Sequence, residues 1–440
     1  MWILIRKIMV SITREDGEVS NELLSGITDN LKFFIENITC VRETFGFSQT
    51  TLSTQLNKTR KELAEFINHN NISEKEDEIV IPNTKRKSYR NLERSVRRAE
   101  QAFNLIPPSY LVSLVSLFDS FYAGLVRCIY NLCPEKLQDS DMSFKYRDLK
   151  DLDSVREVKQ IIVENKIENL LRGSHEEQFK WLASAIGVST LMQFQGWSEF
   201  IEITERRNLF VHANGKVSAQ YINICKKHKS IDGNISIGST LEVSKEYFEN
   251  AFKNLYKISI MLSYMLSCNV YLAKFTDDQN SVDKHLISRI FELISDELYD
   301  VAIDVSIFAL GVKFKHSIYD KCFFTLNLAQ AYKWADNQEK CIEVLRNEDC
   351  SAWRDEFLLP KYVLEDDYES AYNLMAKVGD NNGVLTATAY RDWPIFKEIR
   401  KETKFSDLFH EIFGEQLREN VNVGNEKMIN EENVANKEVQ

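Results

Sequence analysis

Apolar residues recur at three- and four-residue intervals through most of this 440-residue chain, the spacing of amphipathic helices. Two such patterns lie between residues 20 and 70, near Leu31–Val41 and Thr51–Ile67. The polar stretch NHNNISEKEDE and the short apolar run Ile79-Val80-Ile81, ended by Pro82, read as a loop and a small strand. A basic segment, TKRKSYRNLERSVRRAE, comes next. Pro107 and Pro108 then predict a helix start, because proline suits a first turn. The segment beyond them, SYLVSLVSLFDSFYAGLVRCIYNL, is apolar nearly all round, which marks a helix central in a bundle. Polar connections with DSDMS and KDLDS lead to predicted helices over Val155–Leu171 and Glu176–Ala185. A further helix is predicted from Gly196-Trp197-Ser198 to Ala213, with Asn214-Gly215 as a left-handed stop. The last of this set runs from about Val243 to Lys274, and together they predict an antiparallel bundle of four or five helices.

From Asp277 onward the pattern changes to pairs of shorter helices. LNLAQAYKWADNQEKCIEVL and EFLLPKYVLEDDYESAYNLM align with Tyr332 and Tyr362 thirty residues apart, and Cys341 with Ala371 at the same interval. Small residues at Ala329, Ala331, Cys341 and Ala371 let paired helices approach closely. This resembles degenerate tetratricopeptide-like repeats, whose usual period is about 34 residues; a plain helical domain is the alternative. With only 6 Pro and 15 Gly, the fold class expected is all-α. The expected division is an N-terminal helical region with a basic linker (1–97), a helical bundle (98–275), a helical-hairpin repeat region (276–415) and a disordered acidic tail (416–440).

Charge and cysteine content refine this picture. Residues 281–440 carry 19 Lys and Arg against 30 Asp and Glu, which accounts for the whole net charge of −11. Any nucleic-acid contact is therefore expected in the neutral front part, through local basic patches. Two are candidates: Lys85, Arg86, Lys87 and Arg90 in the basic segment, and Lys226 and Lys227 in the run KKHK. The eight cysteines show no C-x-x-C and no Cys/His cluster at zinc spacing, so neither metal nor cofactor is expected. MWILIRKIMVSI is interrupted by Arg6 and Lys7 too early for a signal-peptide core, and Ile258–Ala273 falls short of a membrane span. A cytoplasmic protein without membrane association is expected.

The candidate chemistry lies in Glu205–Tyr221, ERRNLFVHANGKVSAQY. An Arg and a His separated by four residues prove little alone, since a chain of this composition meets that spacing by chance. Here Asn208 directly follows Arg207, the motif sits at the end of a bundle helix, and Ala213-Asn214-Gly215-Lys216-Val217 with Tyr221 continues it. The segment 98–275 thereby resembles the HEPN superfamily of Arg-x4-6-His ribonucleases from bacterial toxin and abortive-infection systems. Ala213 stands where that family often has Asn or another polar residue.

The resemblance implies a metal-independent endoribonuclease acting as a homodimer, as a toxin or anti-phage effector. In such a site His212 is the general base, histidine being the side chain that ordinarily titrates nearest neutrality. It would take the 2′-hydroxyl proton, Arg207 would stabilise the phosphorane-like charge, and Asn208 would orient the ring or hold a phosphate oxygen. The products would be 2′,3′-cyclic phosphate and 5′-hydroxyl ends. At about 100° per residue, Asn208 and His212 share a helix face, whereas Arg207 and His212 stand about 140° apart. A second copy completing the site would resolve that offset. Arg206, with the five-residue spacing, is expected as a supporting phosphate contact. Asp119, in the middle of the apolar helix, needs a partner such as an inward Arg or His, Arg207 among them. RNA and a regulatory protein bound to the C-terminal hairpins are the expected partners. The alternatives are a non-catalytic dimeric scaffold and a nucleotide-binding interaction protein.

Overall fold

The computed structural model describes residues 15–70, 73–75, 78–137, 154–231, 233, 235–275, 279–311, 316–380 and 382–417. The N-terminal segment MWILIRKIMVSI, most of the DSDMS–KDLDS connection and all but the first two residues of the expected acidic tail lie outside these residues. The described residues are all-α apart from one small hairpin, and they divide into two compact units, 15–289 with 316, and 290–311 with 317–417.

The first unit is built on an antiparallel pair of long helices, α1 (Glu15–His69) and α2 (Arg86–Leu132). Between them lie β1 (Ser73–Lys75) and β2 (Glu78–Val80), paired antiparallel, with β2 overlapping the expected strand. Contacts recede in opposite directions along the pair: Asn30 donates to the Phe121 carbonyl (3.0 Å), Ser48 meets Tyr110 (2.6 Å), and Arg60 pairs with Glu100 (2.7 Å). The two separate patterns read between residues 20 and 70 are thus one continuous helix. The boundary drawn at 97/98 falls inside α2, because residues on both sides of it pack on α1. Pro107 and Pro108 do not open a helix but sit within α2. Each interior proline costs roughly 3 kcal/mol in a helix. The helix continues because Tyr89 before them and Leu111, Leu114, Val115 and Phe118 after them are all buried.

Shorter helices complete the unit: α3 (Val155–Leu171), α4 (His175–Ile186), α5 (Trp197–Ala213), α6 (Ala219–Lys227) and α7 (Lys245–Leu266), which continues through a π turn at Ser267–Tyr271. An aromatic core ties them together. Phe118 of α2 contacts Phe200 of α5 (5.1 Å between centroids), Phe200 contacts Phe179 of α4 (5.0 Å), and Phe45 of α1 stacks on Phe248 of α7 (3.8 Å). By length and apolar composition the segment Asn83–Leu132 is the one candidate membrane span among the described residues. More than half of its most apolar stretch is buried in the unit, so packing explains its composition.

Helix α8 (Gln279–Ser295) carries the chain into the second unit, so the first unit extends past the expected boundary at 275/276. The second unit contains α9 (Tyr299–Gly311), α10 (Ile318–Trp334), α11 (Gln338–Arg346), α12 (Asp355–Leu364), α13 (Tyr368–Val378), α14 (Ala387–Asp392) and α15 (Thr403–Phe413). The thirty-residue period has a structural counterpart in the turns. Asp336 and Asp366 both take positive φ (58° and 61°), and Asn337 and Asp367 both cap the next helix with their side chains. Cys341 and Ala371 are both buried one turn later, where a larger side chain would separate the paired helices.

Candidate functional site

Helix α5 ends where its sequence says it should. Asn214 and Gly215 adopt left-handed φ values of 49° and 75°, and the Gly215 N–H donates to the Leu209 carbonyl (3.0 Å). A Cβ on Gly215 would meet the Phe210 ring at 2.7 Å, so glycine is required by both φ and space. Val217, Tyr221 and Cys225 pack with Leu209 in a small buried cluster. The motif's C-terminal half therefore builds the turn that follows the helix.

The charged half divides by face. Arg207 turns into the bundle and donates from Nη2 to Asp119 Oδ2. The other oxygen of Asp119 meets His175 Nε2 at 2.9 Å. Arg207 is 17 % exposed and Asp119 26 %, and Arg207 Nε is buried without a partner. The partner expected for Asp119 is thus present twice, as an Arg and a His from two other helices. His175 follows the capping box of α4, in which Ser174 and Glu177 satisfy each other's backbone N–H groups. The cap fixes the ring under α2, and sequence reading passed over His175 because it forms no ligand spacing.

Asn208 Nδ2 lies 3.5 Å from Glu205 Oε1, a long contact. Burial pushes the Glu205 carboxyl up from its ordinary range, against the pull of His175 and Asn208. His212, in the last turn of α5, is exposed and makes no hydrogen bond or ion pair among the described residues. Beside it Val211 is 48 % exposed. Arg207 and His212 thus occupy different faces of one helix, one turned into the bundle and one to the surface.

Arg206 corrects the expectation of a phosphate contact. Its Nε donates to Glu202 Oε1 (2.7 Å), its Nη1 to the Glu242 carbonyl (2.9 Å), and its guanidinium lies 3.9 Å from the Tyr247 ring centre. Glu202 also accepts from the hydroxyls of Tyr221 and Tyr247, each at 2.6 Å. Burial first, and the Glu202 carboxylate next, push both phenols well up, so they stay donors. A buried carboxylate four residues before Arg206 takes that cation as its structural counterion.

The KKHK run divides in a similar way. Lys226 is exposed, whereas Lys227 donates to Glu176 (2.7 Å). His228 faces inward, with its Nδ1 accepting from Trp197 Nε1 (3.2 Å) and its Nε2 against Glu176 (3.0 Å). The indole N–H only donates, so it fixes the Nε2–H tautomer of His228. Burial pushes the Glu176 carboxyl up, but hydrogen bonds from Lys180, Lys227 and His228 outweigh it and hold the group at about 2. Lys85, Arg86, Lys87 and Arg90 all lie exposed on the start of α2 or just before it. Among the described residues no three His, Cys, Asp or Glu side chains gather as a metal site. No protein-family model, no curated protein and no solved structure matches the chain.

Proposed function

We propose that the chain is a metal-independent endoribonuclease whose site is completed by a second copy. The observation that carries this reading is the end of α5, which presents a free, exposed His212 five residues beyond, and about 140° round the helix from, an Arg207 already oriented by Asp119 and His175. His212 would take the proton of a ribose 2′-hydroxyl, whose oxygen attacks the adjacent phosphorus. The bond from phosphorus to the 5′ oxygen breaks, and His212 of the second copy returns a proton to that leaving oxygen. Arg207 would face the extra negative charge with the N–H groups that Asp119 leaves free, and Asn208 would hold a phosphate oxygen. The exposed Val211 beside His212 supports a contact between two copies at this helix end.

In this reading the protein is a cytoplasmic toxin or anti-phage effector, with the C-terminal hairpins holding a regulatory partner. The scaffold reading has its own support, because a guanidinium bound to a buried carboxylate is also what a purely structural arginine does. The two separate on one experiment. Labelled RNA incubated with excess chelator should be cleaved to 2′,3′-cyclic phosphate ends by wild type and not by His212→Ala. His212→Ala is the sharper variant, since the exposed ring contributes nothing to packing and the fold should survive its loss. Intact RNA with folded wild-type dimer, or equal cleavage by both proteins, refutes the nuclease and leaves the scaffold.

A further inference from the structure

The first four turns of α2 carry a second feature, away from the Arg207–Asp119 pair. At about 100° per residue, Arg86, Arg97, Arg90, Arg94, Lys87 and Arg98 fall, in that angular order, within one arc of about 120°. The only other residue of 86–98 plus the next turn inside that arc before Asn104 is Gln101, and all seven side chains are exposed. Glu93 and Glu100 lie just outside one edge, and Glu100 is already paired with Arg60 of α1. None of the six cations forms an ion pair among the described residues. The stripe extends roughly 18 Å along the helix at 1.5 Å per residue. Its inner edge opens into a groove of about 450 Å³ between α1 and α2, lined by Arg94, Arg98, Asn91, Ser95, Ala99 and Gln55.

We propose that this stripe and groove bind the phosphodiester backbone of single-stranded RNA. Six like charges held unpaired on one face repel one another, and a polyanion laid along the stripe relieves that repulsion. Five of the six are arginines, whose planar fork of donors fits phosphate oxygens two at a time. The groove adds two amides and a hydroxyl, which hydrogen-bond sugars and base edges, and its one apolar side chain, Ala99, is far smaller than the Leu, Phe or Trp that a membrane-binding helix inserts. The stripe is a binding element distinct from the residues given a catalytic role, so RNA binding does not require that the nuclease reading be correct.

The test is fluorescence anisotropy of the full chain with a labelled single-stranded RNA of about 20 nucleotides. With about four phosphates neutralised, log K should fall against log salt with a slope of about −3. Arg90→Gln/Arg94→Gln/Arg98→Gln should weaken binding by at least about tenfold at low salt and flatten the slope by about 2. Lys340→Gln/Lys377→Gln/Lys397→Gln, of equal charge change on the second unit, should leave both quantities alone. Equal loss in the two triple variants, or no loss in the first, overturns the proposal. So does binding of anionic phospholipid vesicles through the same three arginines in preference to RNA. Binding without cleavage in wild type leaves the stripe standing and removes the nuclease.

Discussion

Asp119 is the residue at which three helices of the first unit are joined, and its replacement gives the most informative perturbation. It receives hydrogen bonds from Arg207 of α5 and His175 of α4 while rooted in α2, so one carboxylate joins three helices. Hydrogen bonds to charged groups contribute about 1.5–3 kcal/mol each, and removing one member of a buried ion pair costs about 3–5 kcal/mol. Asp119 is 26 % exposed, so water replaces part of what is lost. We expect Asp119→Leu to destabilise the unit by about 3 kcal/mol and Asp119→Asn, which keeps one acceptor, by about 1–2 kcal/mol. The chain has two compact units, and whole-chain denaturation need not be a single transition. Hydrogen exchange of the amides of α4 and α5 reads the effect locally. A double-mutant cycle of Asp119→Leu with Arg207→Met should give a coupling of about 1–2 kcal/mol. Coupling below about 0.5 kcal/mol, with both single variants as protected as wild type, would falsify the bridge.

The remaining predictions concern residues whose roles the fold makes specific. Gly124→Ala drives a Cβ into the Asn30 side chain and breaks its bond to the Phe121 carbonyl. It should lower stability by about 2 kcal/mol, and Asn30→Ala in the same chain should recover a large part of it; no recovery rules out that contact as the cause. Arg206→Gln should destabilise by about 2 kcal/mol through Glu202, without changing the salt slope of RNA binding; a flattened slope would restore the phosphate role that the structure assigns against. Glu176 is held at about 2 in the folded chain, below its ordinary value of 4.5. Its contribution is therefore present above about pH 4.5 and lost as pH falls toward 2, so Glu176→Gln should flatten stability across that window. An unchanged acid profile contradicts the assignment. Lys333 Nζ donates to the Val363 and Leu364 carbonyls and to Asp366, closing the end of α12. Lys333→Met should speed amide exchange at the α12–α13 turn by roughly tenfold or more, equivalent to about 1.4 kcal/mol or more.

The parts of the fold legible in the sequence were those set by local chemistry. Asn214-Gly215 stops α5 because left-handed φ is inexpensive only for such residues, and the thirty-residue period recurs in paired positive-φ aspartates and capped helix starts. What misled was local chemistry overruled by distant packing. Pro107 and Pro108 signal a helix start, yet a partner helix running alongside on both sides of them holds α2 in one piece. The division at residue 97 failed for the same reason, since nothing in the basic segment reveals that α1 folds back along it. Arg206 and Arg207 are neighbours that the sequence separates only by Asn208, which follows Arg207. Only the buried Glu202 and Tyr221, with Tyr247, on one side and Asp119 on the other show where each turns.

That difference bears directly on chemistry. Arg206 has its donors engaged by a carboxylate, a backbone carbonyl and a ring face, in a network whose members would all lose partners if it left. Arg207 has one strong bond, a buried Nε without a partner, and an anchor that is itself held by His175. In the nuclease reading the Nη N–H groups that Asp119 leaves free, and not the enclosed Nε, would meet a phosphate without breaking the anchor, which is the arrangement an electrostatic catalyst needs. A scaffold requires no such asymmetry. Arg207→Lys therefore discriminates between the readings: one ammonium can keep the Asp119 contact and so the fold, but cannot also span to a phosphate. In the nuclease reading cleavage falls by about tenfold or more with protection of α5 retained, whereas in the scaffold reading dimerisation and exchange are both unchanged and no cleavage exists to lose.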